Sequence, residues 1–304
     1  MASDPYISVI IPHLNQPDLL KRCLDSLQMQ TVSADRFEVI VVDNGSSDLP
    51  VDVIQHFPNV RLCQESQAGP GPARNKGVEE SQGDLLAFID SDCYADPAWL
   101  ETVKTCLTRT GAPPVIGGDV RIPLAQPPHP TMIEAYEIVF SFRQKFYIEH
   151  HGYSVTANLA MTRSAFDLVG GFGTISIAED MDWGRRARQV GLEIAFEPTM
   201  VVFHPARTSF QALRKKCSRL NAHRFHEWQA AHRGQVSWLM SALLIAVSPV
   251  RDVPRTLASS RLDRLPDRLK AAYVLLAVRF FRALDMVELW RDPAHRNAGV
   301  VWNR

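Results

Sequence analysis

Several short stretches of this 304-residue sequence gather residue types that can do chemistry. Asp90-Ser-Asp92 closes an apolar run, and two carboxylates one residue apart at a strand tip suit a hard divalent cation such as Mg²⁺ or Mn²⁺. An ion held there could bridge a diphosphate and neutralise the charge that develops on a leaving group. The same pair could instead sit in a solvated loop or cap the helix that follows Pro97. Glu179, Asp180 and Asp182 crowd the start of a further expected helix. Plain stabilisation of that helix end explains them, and so does a general base, Asp180, oriented by Glu179 and Asp182. Trp183 beside them could stack on a sugar face or fill core. His204 ends the apolar run Val201-Val-Phe, and a neutral imidazole is a candidate third metal ligand beside Asp90 and Asp92.

Two further stretches could hold a nucleotide. In Val41-Val-Asp-Asn-Gly-Ser-Ser-Asp48 an apolar strand delivers Asp43 into a turn made by Asn44 and Gly45. A carboxylate there can accept hydrogen bonds from ribose or a uracil imide, or can simply cap the turn. In Ala68-Gly-Pro-Gly-Pro-Ala-Arg-Asn-Lys-Gly77 the glycines admit close backbone approach, and Arg74 and Lys76 place positive charge near a helix N-terminus. Neither the phosphate-loop nor the dinucleotide glycine spacing is present.

The elements that must position these residues are legible as alternating patterns. Ile7-Ser-Val-Ile-Ile-Pro12, Phe37 to Asp43, Val60 to Gln64 and Asp84 to Asp90 read as buried strands. Leu19, Leu20, Cys23, Leu24 and Leu27 share one helical face, and a second helix opens after the Gly/Pro turn at Ala73. Strand alternating with helix predicts an α/β fold with a doubly wound, mostly parallel sheet. Ligands in such sheets collect beyond the carboxyl ends of the strands, here Pro12 to Asn15, Asp43 to Asp48 and Asp90-Ser-Asp92. Past Gly117-Gly118 comes a Pro-rich stretch, then a helix expected from Thr131 to about Glu149. The expected organisation is a nucleotide-binding half at 1–122, an acceptor half at 123–208 and a helical, basic and apolar extension at 209–304.

Thirty-three basic residues balance thirty-three acidic ones, so no overall field gathers nucleic acid. Five cysteines without Cys-x-x-Cys spacing suit free thiols in a reducing compartment. No secretory leader is visible at the N-terminus. The apolar run Val236 to Val250, about 15 residues, falls short of the roughly 20 that span a bilayer, so a buried helix or an in-plane membrane helix is expected.

Taken in order, Ser8-Val-Ile-Ile-Pro-His-Leu-Asn15, Val41 to Asp48, Ala73-Arg-Asn-Lys-Gly77, Phe88-Ile-Asp-Ser-Asp92 and Glu179-Asp-Met-Asp182 resemble the inverting family 2 glycosyltransferases of GT-A fold, over residues 6 to 205. The resemblance implies transfer of one sugar from a nucleoside diphosphate, a UDP-sugar, to an acceptor hydroxyl. It implies a nucleotide-sugar site built from Pro12, His13, Asn15, Asp43, Asn44, Gly45, Arg74, Asn75, Asp90, Ser91 and Asp92, with Asp43 and Arg74 on the uridine. Asp90, Asp92 and His204 would hold Mn²⁺ or Mg²⁺, and Asp180 would be the base. Leu14 stands where members often carry Tyr, which moves base stacking elsewhere, to His13 for example. The Gln-x-x-Arg-Trp motif of processive synthases is absent, which implies single addition. Apolar helices flanked by Arg251, Arg255, Arg279 and Arg282 suit either core packing or peripheral contact with the inner face of the plasma membrane, and the latter would favour a lipid-linked saccharide as acceptor for a cytoplasmic enzyme. Two rivals are a sugar nucleotidyltransferase, which would want a Gly-rich basic loop after the first strand, and a nucleotide-sugar-binding scaffold without catalysis.

Overall fold

A computed structural model describes residues 6–174, 178–231 and 234–292. Among these, eight strands form one sheet: β1 (Ile7–His13), β2 (Phe37–Asp43), β3 (Val60–Gln64), β4 (Leu85–Ile89), β5 (Tyr94–Ala95), β6 (Val115–Arg121), β7 (Asn158–Thr162) and β8 (Ile194–Phe203), in the order β3-β2-β1-β4-β7-β6-β8-β5. The β3-β2-β1-β4 half is parallel. β7 then enters antiparallel to both β4 and β6, β6 and β8 run parallel, and β5 closes the edge antiparallel to β8.

The parallel half follows directly from the sequence. Ile7 to Ile11 have no exposed surface, as a strand covered on both faces requires. Leu20, Cys23, Leu24 and Leu27 bury one face of the helix Pro17–Gln28, which starts with proline in its first turn. Gly77, in the helix Pro70–Glu79, packs against β1 so closely that a Cβ would lie 2.4 Å from Ile10 Cγ2.

The second half is held by a buried amide. The register of β6 on β8 slips between Gly118 and Asp119, leaving carbonyls at Asp119 and Met200 that Asn158 Nδ2 satisfies at 2.8 Å each. Asn158 Oδ1 accepts the indole N–H of Trp99 at 2.9 Å. Asn158 thus binds the helix Trp99–Thr108 to the irregular junction from which β8 continues to His204.

The chain resolves into two compact units, one comprising residues to Arg121 and Arg143–His204, the other Ile122–Phe142 and the residues from Pro205. The expected continuous helix from Thr131 to Glu149 is not found. A capping box at Thr131 and Glu134 opens a helix, Met132–Phe140, that belongs to the second unit. In the first unit a short helical segment, Gln144–Phe146, runs into a π-helical turn at Tyr147–His151, which Gly152 ends at φ 69°.

The second unit also contains the helices Phe210–Ala230, Gln235–Val247, Pro249–Leu257 and Leu265–Arg291. Its buried clusters join Phe225, Trp238, Ala242, Met286 and Leu289, then Leu213, Cys217, Val274 and Val278. The apolar residues of these helices therefore divide. Trp238 and Leu275 are core, whereas Leu243, Leu244, Tyr273, Leu276 and Phe280 are exposed. The uncharged apolar run ends at Val250, and two consecutive helices carry the chain on through Arg251, Asp252 and Arg255; by length and composition alone Val236–Leu257, 22 residues, is apolar enough to cross a membrane. All five cysteines are free.

Candidate active site

β1 and β2 end side by side, with His13 paired in register to Asp43. Both side chains are buried. Asp43 Oδ2 accepts the backbone N–H groups of Gly45 and Ser46 at 3.1 and 3.0 Å, a turn that needs Gly45 at φ 89°. Asp43 Oδ1 and both ring nitrogens of His13 are buried without a partner among the described residues. Burial lowers the His13 pKa against the pull of Asp43, so the ring is neutral near pH 7. Orphaned buried polar atoms of opposite kinds at adjacent strand tips fit a ligand that brings its own donors and acceptors.

Three Asn residues expected to bind nucleotide also fasten the loops: Asn44 and Asn75 through both side-chain atoms, Asn15 through its backbone N–H and Oδ1. Asn15, at φ 53°, donates its N–H to Ser46 Oγ and accepts the Ser47 N–H on Oδ1, both at 2.9 Å. Asn44 donates to the carbonyls of Glu65 and Gln67 and accepts Gly69 N–H at 2.7 Å. Asn75 brackets the backbone of Phe172, donating to its carbonyl at 2.9 Å and accepting its N–H at 2.7 Å. These bonds fix the loops whose tips carry Asp43 and Arg74. Lys76 pairs with Glu79 and Glu80 on its own helix.

Arg74 is the hub. It is 2% exposed; Nη2 donates to Asp90 Oδ1 at 2.6 Å and Nη1 to Glu179 Oε1 at 2.9 Å, while Nε has no partner among the described residues. One buried guanidinium thereby ties the end of β4 to the N-terminus of the helix Glu179–Gln189. Burial, together with Asp92 and Glu179, pushes Asp90 above the usual carboxylate range in spite of Arg74.

Asp90 and Asp92 face different partners. Asp92 Oδ2 lies 3.3 Å from His204 Nε2, His204 being held at the end of β8 by its N–H bond to the Arg121 carbonyl. Neighbouring ligands of an octahedral ion bound at 2.0–2.1 Å stand roughly 3 Å apart, so this oxygen and nitrogen fit one Mn²⁺ or Mg²⁺. Among the described residues no cluster of three Asp, Glu, His or Cys forms a cage. An ion held by Asp92 and His204 would complete its shell with phosphate oxygens and water. Ser91 between the two aspartates is buried, and Pro12 is half-buried at the end of β1.

The acidic cluster on the helix Glu179–Gln189 also divides. Glu179 serves Arg74. Asp182 has both oxygens taken by Arg185 and Arg186, at 2.5 and 2.8 Å, and braces its own helix. Among the described residues Asp180 accepts only the N–H of Met181, at 2.7 Å, and burial, reinforced by the charge of Glu179, raises its pKa to about 6. Trp183 is corrected outright: it is 1% exposed within the Phe88, Phe166 and Phe172 core, its indole N–H donating to the Gly170 carbonyl at 2.9 Å, and it has no face for a sugar. The aromatic residues beside this helix are Tyr147 and Tyr153, which no motif marks. Only the density of aromatic and His residues from Phe146 to Tyr153 could have drawn notice.

The sequence matches the model of Glycosyl transferase family 2 over residues 8–168. Glycosyltransferase AglE of Haloferax volcanii is 32% identical over 218 residues, covering 70% of this chain and 71% of that protein. Among solved structures, the mannosyltransferase PcManGT of Pyrobaculum calidifontis, in complex with GDP-Man and Mn²⁺, superposes with a TM-score of 0.61 at 17% identity, over 96% of this chain and 89% of that one. TarS of S. aureus, residues 1–349 with UDP-GlcNAc, gives 0.52 at 17% identity, over 90% and 72%. The β3-β2-β1-β4 sheet and the inserted antiparallel β7 are thus those of a GT-A domain, and with more than half its length under the family model this chain belongs to glycosyltransferase family 2.

Proposed function

We propose that this glycosyltransferase moves one sugar from a nucleoside diphosphate to an acceptor hydroxyl by direct, inverting displacement, with Asp180 as the general base. The observation that carries this reading is the Asp90–Arg74–Glu179 bridge, which locks the helix bearing Asp180 to the strand tip bearing Asp92. In the step proposed, the acceptor oxygen attacks the anomeric carbon as its proton passes to the Asp180 carboxylate. The bond from that carbon to the diphosphate oxygen breaks, and its electron pair leaves with the diphosphate. A divalent cation held by Asp92 and His204 would neutralise charge on the leaving diphosphate. Asp182 stiffens the base-bearing helix in this reading, and Glu179 holds it in place.

Asp43 supports uridine as the nucleoside. With Oδ2 filled by two backbone N–H groups, it offers one open acceptor oxygen, which suits the single imide N–H of uracil. Guanine presents two adjacent donors and would want two acceptors. The solved neighbours hold one donor of each kind, GDP-Man and UDP-GlcNAc.

The pH profile of transfer tests the base. With a pKa of about 6, Asp180 is ionised through neutrality and protonated in acid. The rate at subsaturating acceptor should be flat above about pH 7 and fall about tenfold per pH unit below pH 6. A rate unchanged down to pH 5 contradicts the assignment.

For the acceptor we propose a lipid-linked saccharide. Val236, Leu243, Leu244, Val247 and Val250 are at least half exposed on consecutive helices, and Leu269, Tyr273, Leu276, Phe280 and Leu284 form an exposed stripe on Leu265–Arg291. Residues 205–292 carry sixteen Lys and Arg against seven Asp and Glu. Apolar faces on a basic unit suit an anionic bilayer surface. The protein should co-sediment with vesicles containing phosphatidylserine, and Leu243→Glu with Leu244→Glu should abolish that; recovery of wild-type protein in the supernatant contradicts it.

A further inference from the structure

With Trp183 sealed in the core, the acceptor lacks the aromatic surface expected for it, and the first unit offers another. The rings of Tyr147 and Tyr153 stack with centroids 5.3 Å apart and planes 10° from parallel. Both are partly exposed, and the Tyr153 hydroxyl makes no hydrogen bond among the described residues. The pair is fixed from two sides. Gly152, at φ 69°, turns the chain beneath the Arg188 guanidinium, where a Cβ would lie 1.8 Å from Nη2. Tyr153 abuts Gly184, where a Cβ would lie 2.6 Å from Tyr153 Cβ. Gly184 is one helical turn beyond Asp180 on the same helix, so Tyr153 stands beside the proposed base. The charge of Asp180 accordingly adds to burial and to Tyr147 in raising the Tyr153 phenol. Phe146 extends the aromatic run, stacking on His150 at 4.6 Å beneath the Arg143 guanidinium at 4.2 Å.

We propose that Tyr147 and Tyr153 form the stacking wall of the acceptor subsite, holding a pyranose ring so that one of its hydroxyls meets Asp180. An aromatic face takes the C–H face of a sugar, and the phenol at its rim can bond a ring hydroxyl. An alkyl chain would use the ring face and leave that hydroxyl unmatched. The inference rests on the assignment of Asp180 but adds residues, a ligand class and a geometry to it.

Saturation-transfer NMR with methyl glucoside, galactoside, mannoside and N-acetylglucosaminide, recorded on the intact protein with UDP and diamagnetic Mg²⁺, tests the wall. At least one pyranoside should bind. Tyr153→Phe, which keeps the ring but loses the phenol, should weaken its affinity about threefold, and Tyr153→Leu and Tyr147→Leu should weaken it about tenfold while leaving UDP affinity unchanged. Leucine preserves bulk without an aromatic face, and an unchanged thermal melt confirms folding. The wall is overturned if no pyranoside binds, or if folded Tyr153→Leu binds as wild type does. Asp180→Asn separates the two readings: the wall predicts that this variant still binds the pyranoside, whatever becomes of turnover, whereas normal turnover in it removes the base and leaves the wall standing.

Discussion

Replacing Asp180 by Asn is expected to lower sugar transfer by about 10²–10⁴-fold, the usual worth of a positioned general base, while nucleotide affinity stays within about twofold. The side chain keeps its shape and can still accept the Met181 N–H, which Asp180 Oδ1 now takes at 2.7 Å. What it loses is a carboxylate that burial and Glu179 have brought to about 6, high enough to take a proton and low enough to be ionised at neutrality. Asp182→Asn separates position from chemistry. Its oxygens belong to Arg185 and Arg186, so that change should cost a few-fold at most. Equal losses in the two variants would mean that the cluster acts through helix stability alone. Initial rates with nucleotide titrations for both proteins decide it.

The second large effect is expected at Arg74. Arg74→Met removes a buried guanidinium from between Asp90 and Glu179 and leaves two carboxylates in a confined site with no counter-charge. Breaking a buried pair from one side costs about 3–5 kcal/mol, so the melting temperature should drop by roughly 6–20 °C. Turnover should fall further than stability explains, because the helix carrying Asp180 loses its tie to the β4 tip. Adding Glu179→Gln should recover part of the stability, since one stranded charge is gone, but not the turnover. A fully active Arg74→Met protein would show that the bridge does not position the base. Melts and rates on the same preparations separate the two effects.

The parts of the fold readable in the sequence are those whose signal is local. Ile7 to Ile11, Phe37 to Asp43 and Leu85 to Ile89 are runs of buried, largely β-branched or aromatic residues, and Leu20, Cys23, Leu24 and Leu27 repeat at helical spacing. The other half of the sheet was not legible in that way. β6 is interrupted by Gly117 and Gly118, which read as a break but exist because the Ser154 side chain, Asn158 and the Met200 carbonyl press against them. β7, Asn158–Thr162, is five residues with a buried Asn at its head, and its direction comes from partners distant in sequence. The helix expected through Glu149 breaks after Phe140, where the chain passes from one compact unit to the other.

Within the site, the sequence marked the residues better than their tasks. Asn15, Asn44 and Asn75 stand at the turns that fold onto the strand tips, yet the Asn44 and Asn75 amides and the Asn15 Oδ1 are taken by backbone groups up to 97 residues away. No spacing rule encodes such partners. Asp90 and Asp92 look equivalent as Asp-x-Asp, but the turn that follows β4 sends one to Arg74 and the other to His204. Trp183 was ambiguous on its face, and only burial against Phe88, Phe166 and Phe172 resolves it.

The most direct test of the account is calorimetric titration of the wild-type protein with UDP and with GDP, each with and without Mn²⁺, repeated on Asp92→Asn. UDP should bind tightly only with Mn²⁺, Asp92→Asn should weaken it at least about tenfold, in line with losing a charged ligand, and GDP should bind more weakly than UDP because Asp43 has one open oxygen. Binding of neither nucleotide with Mn²⁺, or UDP binding indifferent to both the metal and Asp92, would contradict it.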